Sequence, residues 1–234
     1  MEGMDRRTAI GFGVTAGAVS LSGMAAAQVA GVPAPTFSPR PLPFEAGAVP
    51  GLSAKLLTSH HDNNYAGAVK RLGAIKAEFA KVDPLTAPGF TLNGLKREEL
   101  IAWNSMILHE IYFAGLGGST KVSRGLAQAV ERDFGSHARW AAEFTGMGKA
   151  LAGGSGWVLL TWSDRDQRLT NTWAADHTMT LAGGTPLLAL DMYEHAYAID
   201  YGAKAGEYVD AYMKVLSWDA ASRRFDRLVA AAGD

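Results

Sequence analysis

Apolar residues recur at helical spacing along two stretches of the N-terminal half of the chain. The first stretch runs from Ser53, a suitable N-cap, to about residue 82, where Asp83-Pro84 ends it. The second runs from about residue 95 to residue 113 and stops at the glycine-rich segment 115–118. Because a loop with glycine and proline joins them, the two patterns predict a helical hairpin.

The C-terminal half shows a different pattern. Two strand-like runs, residues 157–162 and 169–175, flank a polar turn, and the four consecutive apolar residues 187–190 are typical of a strand buried on both faces. Helical patterns surround these runs, at residues 126–130, 140–144, 206–216 and 220–232. The predicted fold class is α+β, an N-terminal helical hairpin followed by a C-terminal α/β domain with a three-stranded antiparallel sheet.

The beginning of the chain has the composition of a targeting segment. In residues 1–27, Arg6-Arg7 precedes a mildly apolar run rich in glycine and alanine, and the small residues 25–27 suit a signal peptidase. Paired arginines are typical of twin-arginine signals, so we expect export to the periplasm. The alternatives are a membrane anchor or a mitochondrial presequence, but the glycines and limited length of the run fit a spanning helix poorly.

Three further segments are predicted after this signal. Residues 28–51 hold six prolines and few charges, which is typical of an extended arm. Residues 52–118 carry the helical hairpin, and residues 119–234 carry the α/β domain.

Charge and cysteine content narrow the classes of function. With a net charge of −1, the chain has no overall basic footprint for nucleic acid. It has no cysteine, which excludes disulfides, thiolate catalysis and cysteine-bound metals. Any metal must therefore be held by nitrogen and oxygen.

Asp191 is a candidate for chemistry because it directly follows the buried strand. A carboxylate at that depth must be paired or bound to a metal, since desolvating an isolated one is costly, and His195 can reach the same point. Further ligands must come from the other histidines, of which the chain holds six in all. His60 and His109 lie on the two long helical patterns, although a histidine on a helix is more often structural than a ligand.

Four short motifs, taken in order, resemble the iron/manganese superoxide dismutase family. They are SHH at residues 59–61, ILHEIYF at 107–113, GGSGW at 153–157 and DMYEHAY at 191–197, of which the last is the most specific. The resemblance extends from about residue 52 to about residue 226. It implies one iron or manganese ion per subunit, held by one solvent molecule and four side chains, His60, His109, Asp191 and His195.

The activity that the resemblance implies is superoxide dismutation. A metal must alternate between two oxidation states one electron apart, oxidising one superoxide to oxygen and reducing another to hydrogen peroxide. Three imidazoles and one carboxylate suit iron or manganese and leave a fifth position for solvent. The alternatives are a dismutase-like protein that binds metal without the activity, and a non-haem iron oxygenase, for which two histidines and one carboxylate suffice. A fourth protein ligand argues against the oxygenase, which needs open positions for oxygen and substrate.

The resemblance also assigns residues around the metal, and here the chain departs from many relatives. The candidate catalytic residues are His177, Tyr193 and Trp157. Many members use a glutamine to bond the solvent ligand, and its two usual positions here hold Ser105 and the region of His177. His177 is therefore the candidate solvent partner, with a merely structural histidine as the alternative. Tyr193 stands where tryptophan is usual in the family.

The largest departure concerns the substrate entrance. The family usually has a histidine and a tyrosine four and eight residues after the first ligand, where this chain has Asn64 and Ala68. At the position of the tyrosine that a partner subunit would contribute, this chain has Ala198. The arginine that guides anions is also absent from its usual place, and Lys204, one residue away, is a weak substitute for it. The residues that could supply the lost hydrogen bonds, or could equally be interface packing, are His61, Tyr65 and Tyr197.

Glu194 is the candidate interface residue. In the family, the matching glutamate reaches across a two-fold interface and gives the last ligand histidine of the other subunit an acceptor for its second nitrogen. We therefore expect a homodimer in which Glu194 pairs with His195 of the partner subunit. The alternative is an exposed glutamate at the start of a helix.

Overall fold

The computed structural model describes residues 37–118 and 120–232, with side chains to residue 231. The predicted signal peptide, residues 1–27, and the first part of the proline-rich arm lie outside the described residues. The helices are α1 (Ala54–Ser59), α2 (Ala66–Phe79), α3 (Gly89–Ala114), α4 (Arg124–Phe134), α5 (His137–Ala150), α6 (Ala198–Tyr201), α7 (Ala205–Lys214) and α8 (Asp219–Ala232). The strands are β1 (Trp157–Ser163), β2 (Arg168–Ala174) and β3 (Gly184–Asp191). A π-helical segment (His60–Tyr65) joins α1 to α2, and 3-10 turns lie at Ala46–Ala48 and Glu194–Ala196.

The first predicted helix is present, but it is not one regular α-helix. Ser53 Oγ accepts a hydrogen bond from the amide of Leu56 at 3.1 Å, so the predicted N-cap is confirmed. The π-helical segment follows, and its hydrogen bonds join residues five positions apart and not four. The regular α-helical spacing expected through His60 is therefore interrupted here. The helix ends at Phe79, slightly before the predicted boundary.

The second helix begins earlier than its hydrophobic pattern predicts. α3 starts at Gly89 and not near residue 95. Its first turn carries Phe90, which is 82% exposed, so this part of the helix has no buried apolar face that a pattern could reveal. α2 and α3 pack together around the buried side chains of Leu72, Ile75 and Ala102, which completes the helical hairpin.

The three-stranded antiparallel sheet is confirmed, and β1 lies at its centre in the order β2-β1-β3. β1 is buried along its whole length, as expected for the middle strand of a covered sheet. The register pairs Trp157 with Asp191, so the start of β1 lies beside the end of β3. The register shifts between Leu160 and Thr161, opposite Pro186, which has no amide hydrogen to give to the ladder.

The packing of the hairpin on the sheet determines where the site forms. α3 packs against β3, and both contribute to one continuous hydrophobic core. His109, in the last two turns of α3, therefore lies next to Asp191 at the end of β3. In the part of the chain that the structure covers, no helix combines the length and apolar character needed to cross a bilayer.

Candidate metal centre

The structure brings the four predicted ligands together. Their ligand atoms all lie within 4.8 Å of one another. The Nε2 atoms of His60, His195 and His109 lie 3.1, 3.2 and 3.6 Å from the same oxygen, Asp191 Oδ2. The group comes from four elements, since His60 begins the π-helical segment, His109 lies on α3, Asp191 ends β3 and His195 lies in the following 3-10 turn. This is a compact set of three imidazoles and one carboxylate, able to hold one metal ion.

The hydrogen bonding of His109 tests whether a metal fits this site. Its Nδ1 donates to the carbonyl of Ser105 at 2.6 Å, which leaves the lone pair on Nε2. Nε2 is buried, lies 3.6 Å from Asp191 Oδ2 and has no hydrogen-bond partner among the described residues. A buried nitrogen without a partner is costly. A metal bound at Nε2 satisfies it, and the Ser105 carbonyl then fixes the ring in the orientation that a metal ligand needs.

Burial and mutual proximity set the charges of the ligands. Burial lowers the pKa of His109 to about 3, and burial likewise lowers the pKa of His60, so both imidazoles are neutral and have a free lone pair. Burial acts to raise the pKa of Asp191, but the neighbouring His195 and His60 outweigh it and hold that pKa well below its usual range. The carboxylate is therefore ionised and offers a negative charge to a cation.

The backbone around Asp191 holds its carboxylate in place. Asp191 Oδ1 accepts a hydrogen bond from the amide of Tyr193 at 2.8 Å, which leaves Oδ2 facing the histidines. The carbonyl of Asp191 accepts a hydrogen bond from the hydroxyl of Tyr208 at 2.9 Å. The end of β3 is thus anchored both to the next turn and to α7.

The three candidate catalytic residues line one side of this group. The ring of Trp157 lies edge-on to His109, with centroids 5.3 Å apart, and the ring of Tyr193 stacks between His177 and His195 at 4.9 and 5.4 Å. Trp157 Nε1 donates to His177 Nδ1 at 3.0 Å. An indole nitrogen can only donate, so a neutral His177 must carry its proton on Nε2. Burial lowers the pKa of His177, which favours this neutral form.

Comparison with known proteins assigns the family. Residues 122–224 match the C-terminal domain of the iron/manganese superoxide dismutases. The chain is 64% identical to the superoxide dismutase [Fe] of Cupriavidus metallidurans over 81% of its own length and 96% of that protein. It is 32% identical to a superoxide dismutase [Mn] of Halobacterium salinarum over 80% of its length and 94% of that protein. The chain belongs to the iron/manganese superoxide dismutase family.

Several residues that the sequence analysis did not assign to the site support the metal ligands in the structure. Phe113 lies against His60, with ring centroids 5.1 Å apart, and Tyr112 lies at 5.0 Å from the same ring. Phe113 follows His109 by four positions, so helical spacing could have identified it. Tyr208 carries no such signal, because it reaches the carbonyl of Asp191 from a separate helix.

The altered entrance positions line a cavity beside the metal-ligand group. This cavity has a volume of about 340 Å³, and the residues around it include Asn63, Asn64, Ala68, Arg71, Ser105 and His177. Of the residues that line it, none is acidic, and Arg71 forms an ion pair with Glu98. Asn64 and Ala68 therefore border open space at positions where the family usually carries larger side chains, and His177 is another of the residues that line it.

The candidate substitutes for the lost entrance residues have other contacts in the structure. His61 Nε2 donates to the carbonyl of Arg40 at 2.7 Å, and the hydroxyl of Tyr65 donates to Glu110 at 3.0 Å. Tyr197 is 3% exposed and packs against Tyr208.

Lys204, the weak substitute for the anion-guiding arginine, and Glu194, the candidate interface residue, both lie on the surface. Lys204 is exposed and pairs with Glu207 at 3.0 Å, away from the residues that line the cavity. Glu194 is exposed, whereas the side chain of His195 beside it is 24% exposed.

Proposed function

We propose that the protein is a superoxide dismutase that converts superoxide to oxygen and hydrogen peroxide with one iron or manganese ion per chain. The observation that carries this proposal is the enclosed group of three histidines and Asp191. The lone pair of His109 Nε2, which has no partner among the described residues, is directed into this group. The high identity to a superoxide dismutase [Fe] supports the same activity. A bound iron or manganese ion supplies the one-electron oxidation and reduction that dismutation requires.

The residues of the chain hold the metal in position, exclude bulk water from its ligands and supply a hydrogen-bond donor. The neutral histidines and the ionised Asp191 hold the cation. The rings of Phe113, Trp157 and Tyr193 pack against the ligands and separate them from bulk water. His177 offers an Nε2 hydrogen next to the ligand group, held in that tautomer by Trp157. This donor is suited to the solvent molecule at the metal, where the family usually uses a glutamine.

Two experiments separate the dismutase from its two alternatives. The protein is produced without refolding, its metal content is measured by elemental analysis, and the decay of superoxide is followed on the same sample. About one iron or manganese per chain with fast decay supports the dismutase, and one metal without decay supports a metal-binding relative that has lost the activity. For an oxygenase with two histidines and one carboxylate, His109→Ala would keep the metal and oxygen activation. The dismutase proposal expects the metal and the catalysed decay of superoxide to be lost together in this variant.

We also propose that the protein is a homodimer in which Glu194 accepts a hydrogen bond from His195 of the partner subunit. His195 directs Nε2 to Asp191, and in the covered part of the chain its Nδ1 has no acceptor. Glu194 is exposed one position earlier, where a second copy could approach. Light scattering should give a dimer mass for the native protein, and Glu194→Ala should shift it toward monomer. A monomeric native protein that is fully active would contradict this arrangement.

Export to the periplasm is the third part of the proposal, and with it a role in protection against superoxide outside the cytoplasm. It rests on the paired arginines and small residues of the first 27 positions. Cell fractionation should find the native protein in the periplasm and the variant with Lys in place of Arg6 and Arg7 in the cytoplasm. Equal distribution of the two proteins would contradict export by this route.

A further inference from the structure

The described end of the proline-rich arm is bound to the helix that carries His60. The backbone of Arg40 makes two hydrogen bonds there, since its amide donates to the hydroxyl of Tyr65 at 2.8 Å and its carbonyl accepts from His61 Nε2 at 2.7 Å. Tyr65 and His61 both lie in the π-helical segment, which begins with the ligand His60. The arm is thus held by the backbone of one residue and not by apolar contact alone.

The same tyrosine links the arm to the second ligand-bearing helix. The hydroxyl of Tyr65 donates to Glu110 Oε1 at 3.0 Å, and Glu110 Oε2 also pairs with the guanidinium of Arg40 at 2.8 Å. Glu110 directly follows the ligand His109 on α3. Arm, π-helical segment and α3 therefore meet in one network, built on Arg40, Tyr65 and Glu110.

The network contacts the metal-ligand group through aromatic rings. Tyr65 is 1% exposed, and its ring centroid lies 6.5 Å from that of His109 and 6.1 Å from that of Phe113. Phe113 in turn lies 5.1 Å from His60. Because interiors are close-packed, a shift of the Tyr65 ring must be taken up by these neighbours. One of them, His109, is itself a ligand, and the other, Phe113, contacts the ligand His60.

The π-helical segment is the part of the helix that these contacts stabilise. A π-helical turn is less favourable than an α-helical one and persists where other contacts hold it, often at functional sites. Here the contacts from Arg40 fall on the second and last residues of the segment, His61 and Tyr65. Without them, relaxation toward an α-helix would rotate His60 relative to Asp191.

We propose that the arm is part of the metal centre's support, with Arg40, Tyr65 and Glu110 acting as positioning residues that hold His60 and His109 in their binding geometry. None of the three is a metal ligand. The inference concerns how the metal is held and does not depend on whether the bound metal dismutates superoxide, so it can fail while the proposed activity stands.

The test uses the full chain with single substitutions, Tyr65→Phe and Glu110→Gln. The matched control is Glu78→Gln, which makes the same chemical change on the helical hairpin but removes a surface ion pair with Lys81 at the far end of α2. Two quantities are measured, the rate at which a chelator removes iron or manganese, and amide hydrogen exchange in residues 60–65 of the metal-free protein. We expect release of the metal to be on the order of tenfold faster in both variants, as for other residues that support metal ligands. Exchange in residues 60–65 should also be faster.

Three further outcomes decide the proposal. The ferric electron paramagnetic resonance spectrum should change in Tyr65→Phe, since the ligand rings reorient, and should stay unchanged in Glu78→Gln. The double variant of Tyr65→Phe with Glu110→Gln should release metal at about the rate of the single variants, because both remove one network. Wild-type release rates and exchange in both single variants, or equal effects of Glu110→Gln and Glu78→Gln, would overturn the proposal.

Discussion

His60 and Asp191 are separated by 131 positions in the chain, yet His60 Nε2 lies 3.1 Å from Asp191 Oδ2. His60 belongs to the helical hairpin and Asp191 ends the last strand of the sheet. The hairpin supplies two ligands and the α/β half supplies the other two. The ligand group is therefore complete only when the hairpin packs on the sheet, and metal binding must stabilise that packing.

Removal of one of the two ligands that the hairpin supplies should abolish this stabilisation by the metal. We expect His109→Ala to bind less than about a tenth of the metal that the native protein holds, because the remaining three ligands lose the fourth donor and its support. Its melting temperature should no longer rise when iron or manganese is added, as calorimetry would reveal. His137→Ala is the matched control, since His137 packs against Trp140 and Trp218 and not against the ligands. Metal-dependent stabilisation that survives in His109→Ala would exclude the four-ligand site.

The pair of Trp157 and His177 gives a second prediction. His177→Ala should keep its metal but lower kcat by roughly 10- to 100-fold, because the donor next to the solvent position is lost. His177→Gln should recover part of that activity, since an amide can donate from the same position. Trp157→Phe removes the bond that fixes the tautomer of His177, so its kcat should fall less than that of His177→Ala. The assay is superoxide decay at matched metal content, and an unchanged kcat in His177→Ala would assign that histidine a purely structural role.

The four ligands could be proposed from the sequence because each lies in a short motif in a fixed order. Asp191 also gives a physical signal of its own, as an acid that directly follows four apolar residues and ends a buried strand. The sheet followed from the apolar runs and the polar turn between them. These are local patterns, and they arise because the apolar residues of each element must be buried against the core.

Contacts between distant residues left no such pattern. The hydrogen bond from Tyr65 to Glu110 joins residues 45 positions apart, and that from Arg40 to Tyr65 spans 25. The π-helical segment was invisible for a related reason, because the spacing of apolar residues before His60 fits an ordinary α-helix and the extra residue is fixed by packing. The early start of α3 was missed because its first turn carries the exposed Phe90.

The buried histidines predict how stability depends on pH. Burial lowers the pKa of His109 to about 3, whereas the pKa of an unfolded histidine is near its ordinary value of 6.5. Between these values the unfolded chain binds a proton that the folded chain does not, so the free energy of unfolding falls as the pH falls. The loss for one such group is at most about 1.4 kcal/mol per pH unit.

Urea denaturation of the metal-free protein at a series of pH values measures this dependence. The free energy of unfolding should be nearly constant above about pH 7 and should fall between about pH 6.5 and pH 3. In His109→Gln the slope in that window should be smaller by the contribution of one proton. Equal slopes in the two proteins would show that His109 is not the group whose protonation is linked to unfolding.

The open space at Ala68 predicts that small anions reach the centre through the cavity that Ala68 and His177 line. Ala68→Tyr places a large side chain into this cavity, which has a volume of about 340 Å³, and should narrow the path without touching a metal ligand. We expect the association rate of azide with the ferric protein to fall by about one decade, because access and not affinity is changed. Stopped-flow absorbance would measure the rate, and elemental analysis would confirm equal metal content. Ala74→Tyr is the matched control, since Ala74 is exposed on the same helix. If both variants bind azide at the native rate, the anions use another route, and the loss of large side chains at Asn64 and Ala68 has no bearing on access.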